Sequence, residues 1–193
     1  MIVRPRAVFA VVWIAWLVSW IGAAVWASRP QARLLSGETL IYRLAILAGA
    51  VLLFPGTARR LQLRQIWHVG LGGAYVLAGI TAVGLLFTWW ARIHLGRLWS
   101  GSITRKQDHR VVDTGPYAWV RHPIYTGLIL ALFATAIAQA TVSALAGAAL
   151  ISFGFWLKAR MEERFLSAEL GPDAYAAYRR RVPMLIPLAR GRP

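Results

Sequence analysis

Long runs of apolar residues divide the chain and predict helices that cross a membrane. The first run, residues 7–27, holds no charge, and as a helix it would measure about 30 Å, the thickness of a bilayer's hydrocarbon core. The second run, 44–56, is short, and it becomes a span when residues 40–42 join it and Arg43 snorkels or faces protein. The third run, 66–91, is long enough to cross with tilt.

The fourth run, residues 124–157, is too long for one crossing, since a straight helix of that length would measure about 51 Å. We therefore predict two helices in a hairpin that turns near residues 139–141. The predicted fold is all-α, an integral membrane helical bundle of about five transmembrane segments whose last two form the hairpin. A four-span arrangement is the alternative.

The basic residues indicate the orientation of these segments. The chain has 22 Lys and Arg against 7 Asp and Glu, for a formal net charge of +15. With five segments, the loops 28–39 and 92–123 and the C-terminal tail share one side, which holds most of these cations. Because cytoplasmic loops carry the excess of Lys and Arg, we expect the N-terminus outside and the C-terminus in the cytoplasm. Four spans would split the two most basic segments across the membrane.

Composition narrows the possible partners and chemistry. In a soluble protein this charge would suggest nucleic acid, but the apolar runs make a lipid bilayer the expected partner instead. With no cysteine in the chain, disulfides, cysteine zinc sites, iron–sulfur clusters and thiol catalysis are excluded.

Small residues spaced by four predict close helix packing inside the bundle. Gly70, Gly72 and Gly73 follow no strand, so they are not a dinucleotide-binding fingerprint, and we expect them to serve helix packing. The two stripes are Gly70, Ala74, Ala78 and Ala82, and Ala140, Ala144, Ala148 and Ser152.

The polar residues collect after residue 91, where six of the seven acidic residues lie. In the first cluster, residues 109–125, Gly115-Pro116 marks a turn and Pro123 suits the first turn of the next helix. Arg121 and His122 would then lie at that helix's N-terminus, where free N–H groups and the helix dipole favour an anionic group. The alternative is an interfacial belt, because Tyr, Trp, Arg and His are common at membrane surfaces.

The second cluster, residues 158–164, contains two adjacent carboxylates at the point where a helix leaves the membrane. Glu162 and Glu163 are about 100° apart on a helix and cannot face the same way. We expect one to bind a cationic ligand while the other pairs with Arg160, Arg164 or solvent. A solvated charged turn is the alternative. A third cluster, Tyr175, Tyr178 and residues 179–181, suits anionic lipid or ligand contact.

Taken in order, these motifs resemble the isoprenylcysteine carboxyl methyltransferase family and the related membrane phospholipid methyltransferases. The resemblance runs from about Leu95 to the C-terminus and includes the family's Arg-His-Pro-x-Tyr-x-Gly and Glu-Glu motifs. Its parts are Leu95 to Ser100, His109 to Val112, Gly115-Pro116-Tyr117, Arg121 to Gly127, Glu162-Glu163 with Leu166, and Gly171, Tyr175, Tyr178, Arg181-Val182-Pro183 and Pro187.

The resemblance implies an integral membrane enzyme that uses S-adenosyl-L-methionine and releases S-adenosyl-L-homocysteine. It implies a cytosolic loop and C-terminal helices that form the cofactor pocket. Residues 1–91 would supply segments 1–3, and residues 92–193 the methyltransferase site, within one structural unit. The implied catalytic residues are Arg121, His122 and Glu163. The implied cofactor-binding residues are His109, Arg110, Val111, Val112, Tyr117, His122, Pro123, Ile124, Tyr125 and Glu162. Lys158 and Arg160 are the alternative substrate-binding residues.

The acceptor is expected to be lipophilic, either the carboxylate of a prenylcysteine-like compound or a lipid amine. A carboxylate acceptor needs no general base, whereas an amine or hydroxyl does, and His122 or His109 is the candidate. We expect a prokaryotic cytoplasmic membrane and no metal, nucleic acid or obligate protein partner. Two other functions stay open: a membrane NADPH-dependent reductase of the sterol-reductase type, and a non-enzymatic lipid-binding protein.

Overall fold

The regular secondary structure in the described part of the chain is helical. A computed structural model describes residues 4–23, 37–54, 64–96, 112–169 and 172–187. Within these ranges all regular structure is helix, which confirms the predicted all-α class. The α-helices are α1 (Pro5–Gly22), α2 (Gly37–Leu53), α3 (Leu71–Leu95), α4 (Pro123–Gln139), α5 (Val142–Glu169) and α6 (Pro172–Arg181), with a short 3₁₀ turn at Gly115–Ala118.

The helices form a membrane bundle. By length and composition, α1, α3 and α5 are each able to cross a membrane. The other two long helices, α2 and α4, have 17 residues each, about 26 Å of helix, which is near the short limit for a span. The chain is therefore an integral membrane protein whose two shorter helices pack against longer ones: α2 on α5, and α4 on α3.

Contacts at one end of the bundle show that α1 and α3 run in the same direction, whereas α2 and α5 run in opposite directions. Arg92, near the end of α3, donates from Nη2 to the carbonyl oxygen of Ala23, just after α1, at 2.7 Å. Arg164, near the end of α5, pairs with Glu38 at the start of α2. The bundle face that holds these contacts, here termed the site face, therefore carries the flanks of both loops predicted to share a side.

The hairpin between α4 and α5 turns at the opposite face, as predicted. Ala140 takes the left-handed conformation (φ 55°) directly after α4, and α5 begins two residues later. Its carbonyl oxygen accepts a bond of 2.8 Å from the amide of Ile66, while Gln139 Nε2 donates to the carbonyl oxygen of Leu53 at 2.8 Å. These bonds tie the end of α2 and the segment before α3 to the turn.

Close glycine contacts bring the helices together. A Cβ at Gly84 of α3 would lie 2.6 Å from the carbonyl oxygen of Gly127 on α4, and one at Gly147 of α5 would lie 2.6 Å from that of Gly49 on α2. Because lipid gives no hydrophobic drive for helix association, such close packing supplies much of the attraction.

The predicted stripe is confirmed in α5 and confirmed in part in α3, where Ala78 is buried, Ala74 and Ala82 are half-buried and Gly70 is exposed. Ala144 and Ala148 are fully buried, as is Ala140 in the turn before α5. In α3 the buried positions are Ala78, Thr81, Gly84, Leu85, Thr88, Ala91 and Arg92. The expected packing role of Gly70 and Gly72 is wrong, since α3 begins only at Leu71 and nothing lies within 4 Å of either position. Arg43 is exposed on α2, so it does not face protein.

Polar contacts dock α1 onto the bundle. Trp16 Nε1 donates to Thr88 Oγ1 at 2.8 Å, and Trp13 Nε1 donates to Thr135 Oγ1 at 3.0 Å. The Arg92 guanidinium lies 4.3 Å from the centre of the Trp20 ring, within cation–π distance. These contacts fix α1 against α3 and α4.

Candidate active site

The turn before α4 is held against the end of α3. Gly115 has a φ of +57°, and a Cβ there would lie 2.7 Å from Cε1 of the His94 ring, so glycine alone fits this position. Tyr117 is buried, and its carbonyl oxygen accepts a bond of 2.7 Å from the Tyr178 hydroxyl on α6. Burial raises the pKa of both phenols, so both stay neutral and act as hydrogen-bonding groups.

The N-terminus of α4 is bonded to residues 182–185, here termed the C-terminal strap. The amides of Arg121 and His122 donate to the carbonyl oxygens of Pro183 and Met184 at 2.8 and 3.1 Å, and Thr126 Oγ1 donates to that of Leu185 at 2.7 Å. Two amides expected to face an anionic group therefore hold the strap instead.

Arg121 joins α4, α5 and α6. Its Nε and Nη2 donate to the two carboxylate oxygens of Glu163 at 2.7 and 3.3 Å, a bidentate pair. Its Nη1 donates to the carbonyl oxygens of Arg179 and Val182. Four of the five N–H donors of the guanidinium are thus engaged by the protein, so Arg121 positions other parts of the site.

His122 lies between the two adjacent carboxylates. Its Nε2 is 3.2 Å from Glu163 Oε1, and its Nδ1 is 3.5 Å from Glu162 Oε2. Both glutamates thus reach one imidazole, from its two edges, despite the 100° between them on α5. Burial lowers the pKa of His122, but hydrogen bonds and charge from Glu162 and Glu163 outweigh burial and leave this pKa raised.

The basic partners that the sequence suggested for these carboxylates are wrong. Arg164 pairs with Glu38, and the guanidinium of Arg160 lies 4.9 Å from the centre of the Trp156 ring. The second cation beside Glu163 is Arg179, with Nε 3.4 Å from Oε2. Because α6 packs back onto α5, Arg179 contacts Glu163 from 16 positions further along the chain. It takes the place predicted for Arg160 or Arg164 on α5 itself.

Glu162 keeps an accessible edge. Its side chain is 21% exposed, against 6% for Glu163. Its Oε1 accepts a bond of 2.8 Å from the Tyr125 hydroxyl and lies 3.7 Å from Lys158 Nζ. The Tyr125 ring stacks between those of His122 and Phe155, at centroid distances of 5.5 and 5.1 Å.

The structure separates the two candidate substrate-binding cations. Lys158 lies in the cluster, 5.4 Å from the centre of the Tyr125 ring and beside Glu162. Arg160 is exposed and stacks on Trp156. A helix turns about 100° per residue, so two positions place the side chains on nearly opposite faces.

The structure describes some of the other implied site residues. Pro123 is buried and Ile124 half-buried in the first turn of α4, and Val112 is half-buried before the 3₁₀ turn. His109, Arg110 and Val111 lie outside the described residues. No group of three His, Asp or Glu able to hold a metal ion occurs in the described part of the chain.

Sequence reasoning missed several groups that shape the site. The strap contributes backbone carbonyls, which no side-chain pattern reveals. Phe155 lies in an apolar run, where the sequence does not distinguish it from the other aromatic residues. Arg179 and His94 are polar, but only the fold brings them beside Glu163 and Gly115. Motif spacing alone identified none of these neighbours.

Comparison with known proteins agrees with the motifs. Residues 77–168 match the model of the isoprenylcysteine carboxyl methyltransferase (ICMT) family, a range that begins before Leu95 and ends before the tail motifs. It includes Arg121, His122, Glu162 and Glu163 and excludes the strap.

Individual relatives cover a similar part of the chain. A protein-S-isoprenylcysteine O-methyltransferase of Schizosaccharomyces pombe is 35% identical over 44% of this chain and 36% of its own length. One of Xenopus laevis is 29% identical over 45% of this chain and 30% of its own length. A methanethiol S-methyltransferase of Mycobacterium tuberculosis is 46% identical over 37% of this chain and 28% of its own length. The chain thus spans about a third of the length of these relatives. Over residues 77–168 the chain is similar to the isoprenylcysteine carboxyl methyltransferase family, which confirms the resemblance inferred from its motifs.

Proposed function

We propose that this chain is an integral membrane methyltransferase that uses S-adenosyl-L-methionine to methylate a lipophilic acceptor. The observation that carries the proposal is the placement of Glu162: a carboxylate with one accessible edge, held by Tyr125 and His122 at the site face of a membrane bundle. This cluster lies inside the range that matches the ICMT family.

The residues present fit the cofactor, whose chemical contribution is a methyl group on a sulfonium. Its ribose hydroxyls and ammonium group are donors that need an acceptor such as Glu162, and its carboxylate suits a cation. Tyr117, His122, Pro123, Ile124, Tyr125 and Glu162, with residues 109–112, are the proposed cofactor-binding residues. S-adenosyl-L-homocysteine is the expected product.

The rate of methyl transfer depends more on how the reacting groups are placed than on stabilisation of a charge by the protein. Positive charge is lost from the sulfonium during the transfer, so alignment and exclusion of water dominate the rate. Arg121, His122 and Glu163 suit this task, because their hydrogen bonds connect α4, α5 and the strap that follows α6. Their proposed contribution to catalysis is to fix Glu162 and close the site.

A lipophilic acceptor fits a site at the end of membrane helices. We propose the carboxylate of a prenylcysteine-like compound or a lipid amine, with Lys158 rather than Arg160 as its basic contact. We propose that the site face lies on the cytoplasmic side of a prokaryotic membrane, with the N-terminus outside. The excess of Lys and Arg in the loops on that side supports this orientation. Nothing in the proposal requires a protein partner.

The test is calorimetric binding of S-adenosyl-L-methionine to detergent-purified protein. Loss of one hydrogen bond to a charged group removes about 1.5–3 kcal/mol, so Glu162→Ala is expected to weaken binding by about tenfold to a hundredfold. His122→Ala is expected to weaken it as well. Glu38→Gln, at an exposed ion pair on the same face, is the matched control and should bind as the wild type does.

Absence of binding to monodisperse wild-type protein would refute the proposal. Binding of NADPH in its place would then indicate the reductase, and binding of neither would favour a lipid-binding protein. If S-adenosyl-L-methionine binds, methyl transfer into lipid extracts identifies the acceptor.

A further inference from the structure

We propose that His122 is a positioning residue that stays protonated at working pH: its imidazolium holds Glu162 and Glu163 through its two ring nitrogens, and it does not serve as the proton acceptor. The catalytic consequence rests on the proposed function. The charge state itself is a property of the protein without any ligand.

The geometry of the two carboxylates carries this inference. Each ring nitrogen of His122 faces one carboxylate oxygen, at 3.2 Å for Glu163 and 3.5 Å for Glu162. An ionised carboxylate only accepts hydrogen bonds, and a neutral imidazole has one N–H. A neutral His122 would therefore direct a lone pair at one carboxylate, in a buried position where that repulsion is poorly screened. The imidazolium donates to Glu163 and keeps its second N–H within ion-pair distance of Glu162.

The surrounding charges agree with this arrangement. Arg121 and Arg179 contact Glu163, and Lys158 contacts Glu162, so each of these cations pairs with one of the two carboxylates. The carboxylates are thus the charged groups in direct contact with the ring. The phenols of Tyr117, Tyr175 and Tyr178 stay neutral because burial raises their pKa, and the Tyr125 ring stacks on the imidazole.

One consequence separates the two acceptor classes. A protonated His122 cannot take a proton from an ammonium or hydroxyl group, and Glu163 is engaged by Arg121 and Arg179. A lipid amine would need a base from elsewhere, whereas a carboxylate arrives already ionised. The arrangement at His122 therefore favours a carboxylate over a lipid amine.

The first measurement is ¹⁵N NMR of histidine-labelled protein in detergent. The chain has four histidines, and replacing His68, His94 and His109 one at a time assigns the His122 signals without changing His122. Both His122 nitrogens are expected to carry a proton at neutral pH, above the ordinary histidine pKa of about 6.5. A single protonated nitrogen near neutral pH would overturn the proposal.

The second measurement uses Glu163→Gln with Glu38→Gln as control. Removing one carboxylate charge should move the titration of His122 to lower pH, and the control should leave it unchanged. An unchanged titration in folded Glu163→Gln protein would also overturn the proposal. Because neither readout requires a cofactor, failure of S-adenosyl-L-methionine binding would refute the proposed function and leave this test intact.

Discussion

Arg121→Ala is the perturbation whose effect the structure specifies most closely. The substitution removes the bidentate pair with Glu163 and the two bonds to the carbonyl oxygens of Arg179 and Val182. Both side chains of the ion pair are nearly buried, at 9% and 6% exposure. Removing one partner of a buried pair costs about 3–5 kcal/mol. His122 and Arg179 still contact Glu163 and offset part of this cost, while the two carbonyl oxygens that lose their donor add to it.

Amide hydrogen exchange measures this cost at the place where it acts. The amides of Arg121 and His122 donate to strap carbonyls, so they exchange when the strap opens. A loss of about 3–5 kcal/mol should speed the exchange of these amides by roughly 10² to 10⁴, since about 1.4 kcal/mol corresponds to tenfold. The readout in Arg121→Ala is the amide of His122, with that of Ala140, bonded to Ala136 at the other end of α4, as an internal reference.

Arg164→Ala is the matched control. It removes an ion pair on the same face whose side chains are 63% and 55% exposed. Exposed pairs contribute about 0–1 kcal/mol, so exchange at His122 should change by about fivefold at most. If Arg121→Ala and Arg164→Ala give the same exchange rates, Arg121 does not hold the strap and the reasoning above is wrong.

Two further predictions follow from the packing and from the site. Gly84→Leu is expected to break the contact between α3 and α4, because its Cβ would lie 2.6 Å from the carbonyl oxygen of Gly127; Gly72→Leu, with open space around it, is the control, and thermal melting in detergent measures both. Equal melting temperatures would contradict the packing. Lys158→Met is expected to raise the KM for the acceptor at least severalfold while Arg160→Met leaves it unchanged, and the reverse order would assign the contact to Arg160.

Stability should depend on pH through His122. Because its pKa is raised in the folded protein, its contribution to stability is fully present below the unfolded value of about 6.5 and is lost as pH rises through the raised value. This sign follows from the two carboxylate partners, and it is opposite to that of a histidine buried without them.

The sequence by itself determined the helical class and the hairpin. A single apolar segment that crosses lipid is stable as an α-helix, because the helix bonds its own backbone N–H groups where no water can. The excess length of residues 124–157 over one bilayer thickness required a turn, and the turn lies at Ala140. The Arg-His-Pro and Glu-Glu motifs also predicted residues that the fold brings together, because both motifs are local in the chain.

Only the tertiary structure decided how those residues are used. The strap carbonyls that engage Arg121, and the approach of Arg179 to Glu163, depend on where α6 packs, which no local pattern encodes. The stripe predicted for α3 is only partly confirmed for a similar reason. Helix periodicity gives several possible faces, and the glycine contact with α4 selects one that includes Ala78 and leaves Gly70 exposed. The tertiary structure likewise decided that Glu162 and Glu163 share a partner. His122, at the N-terminus of the neighbouring helix α4, lies between the two carboxylates.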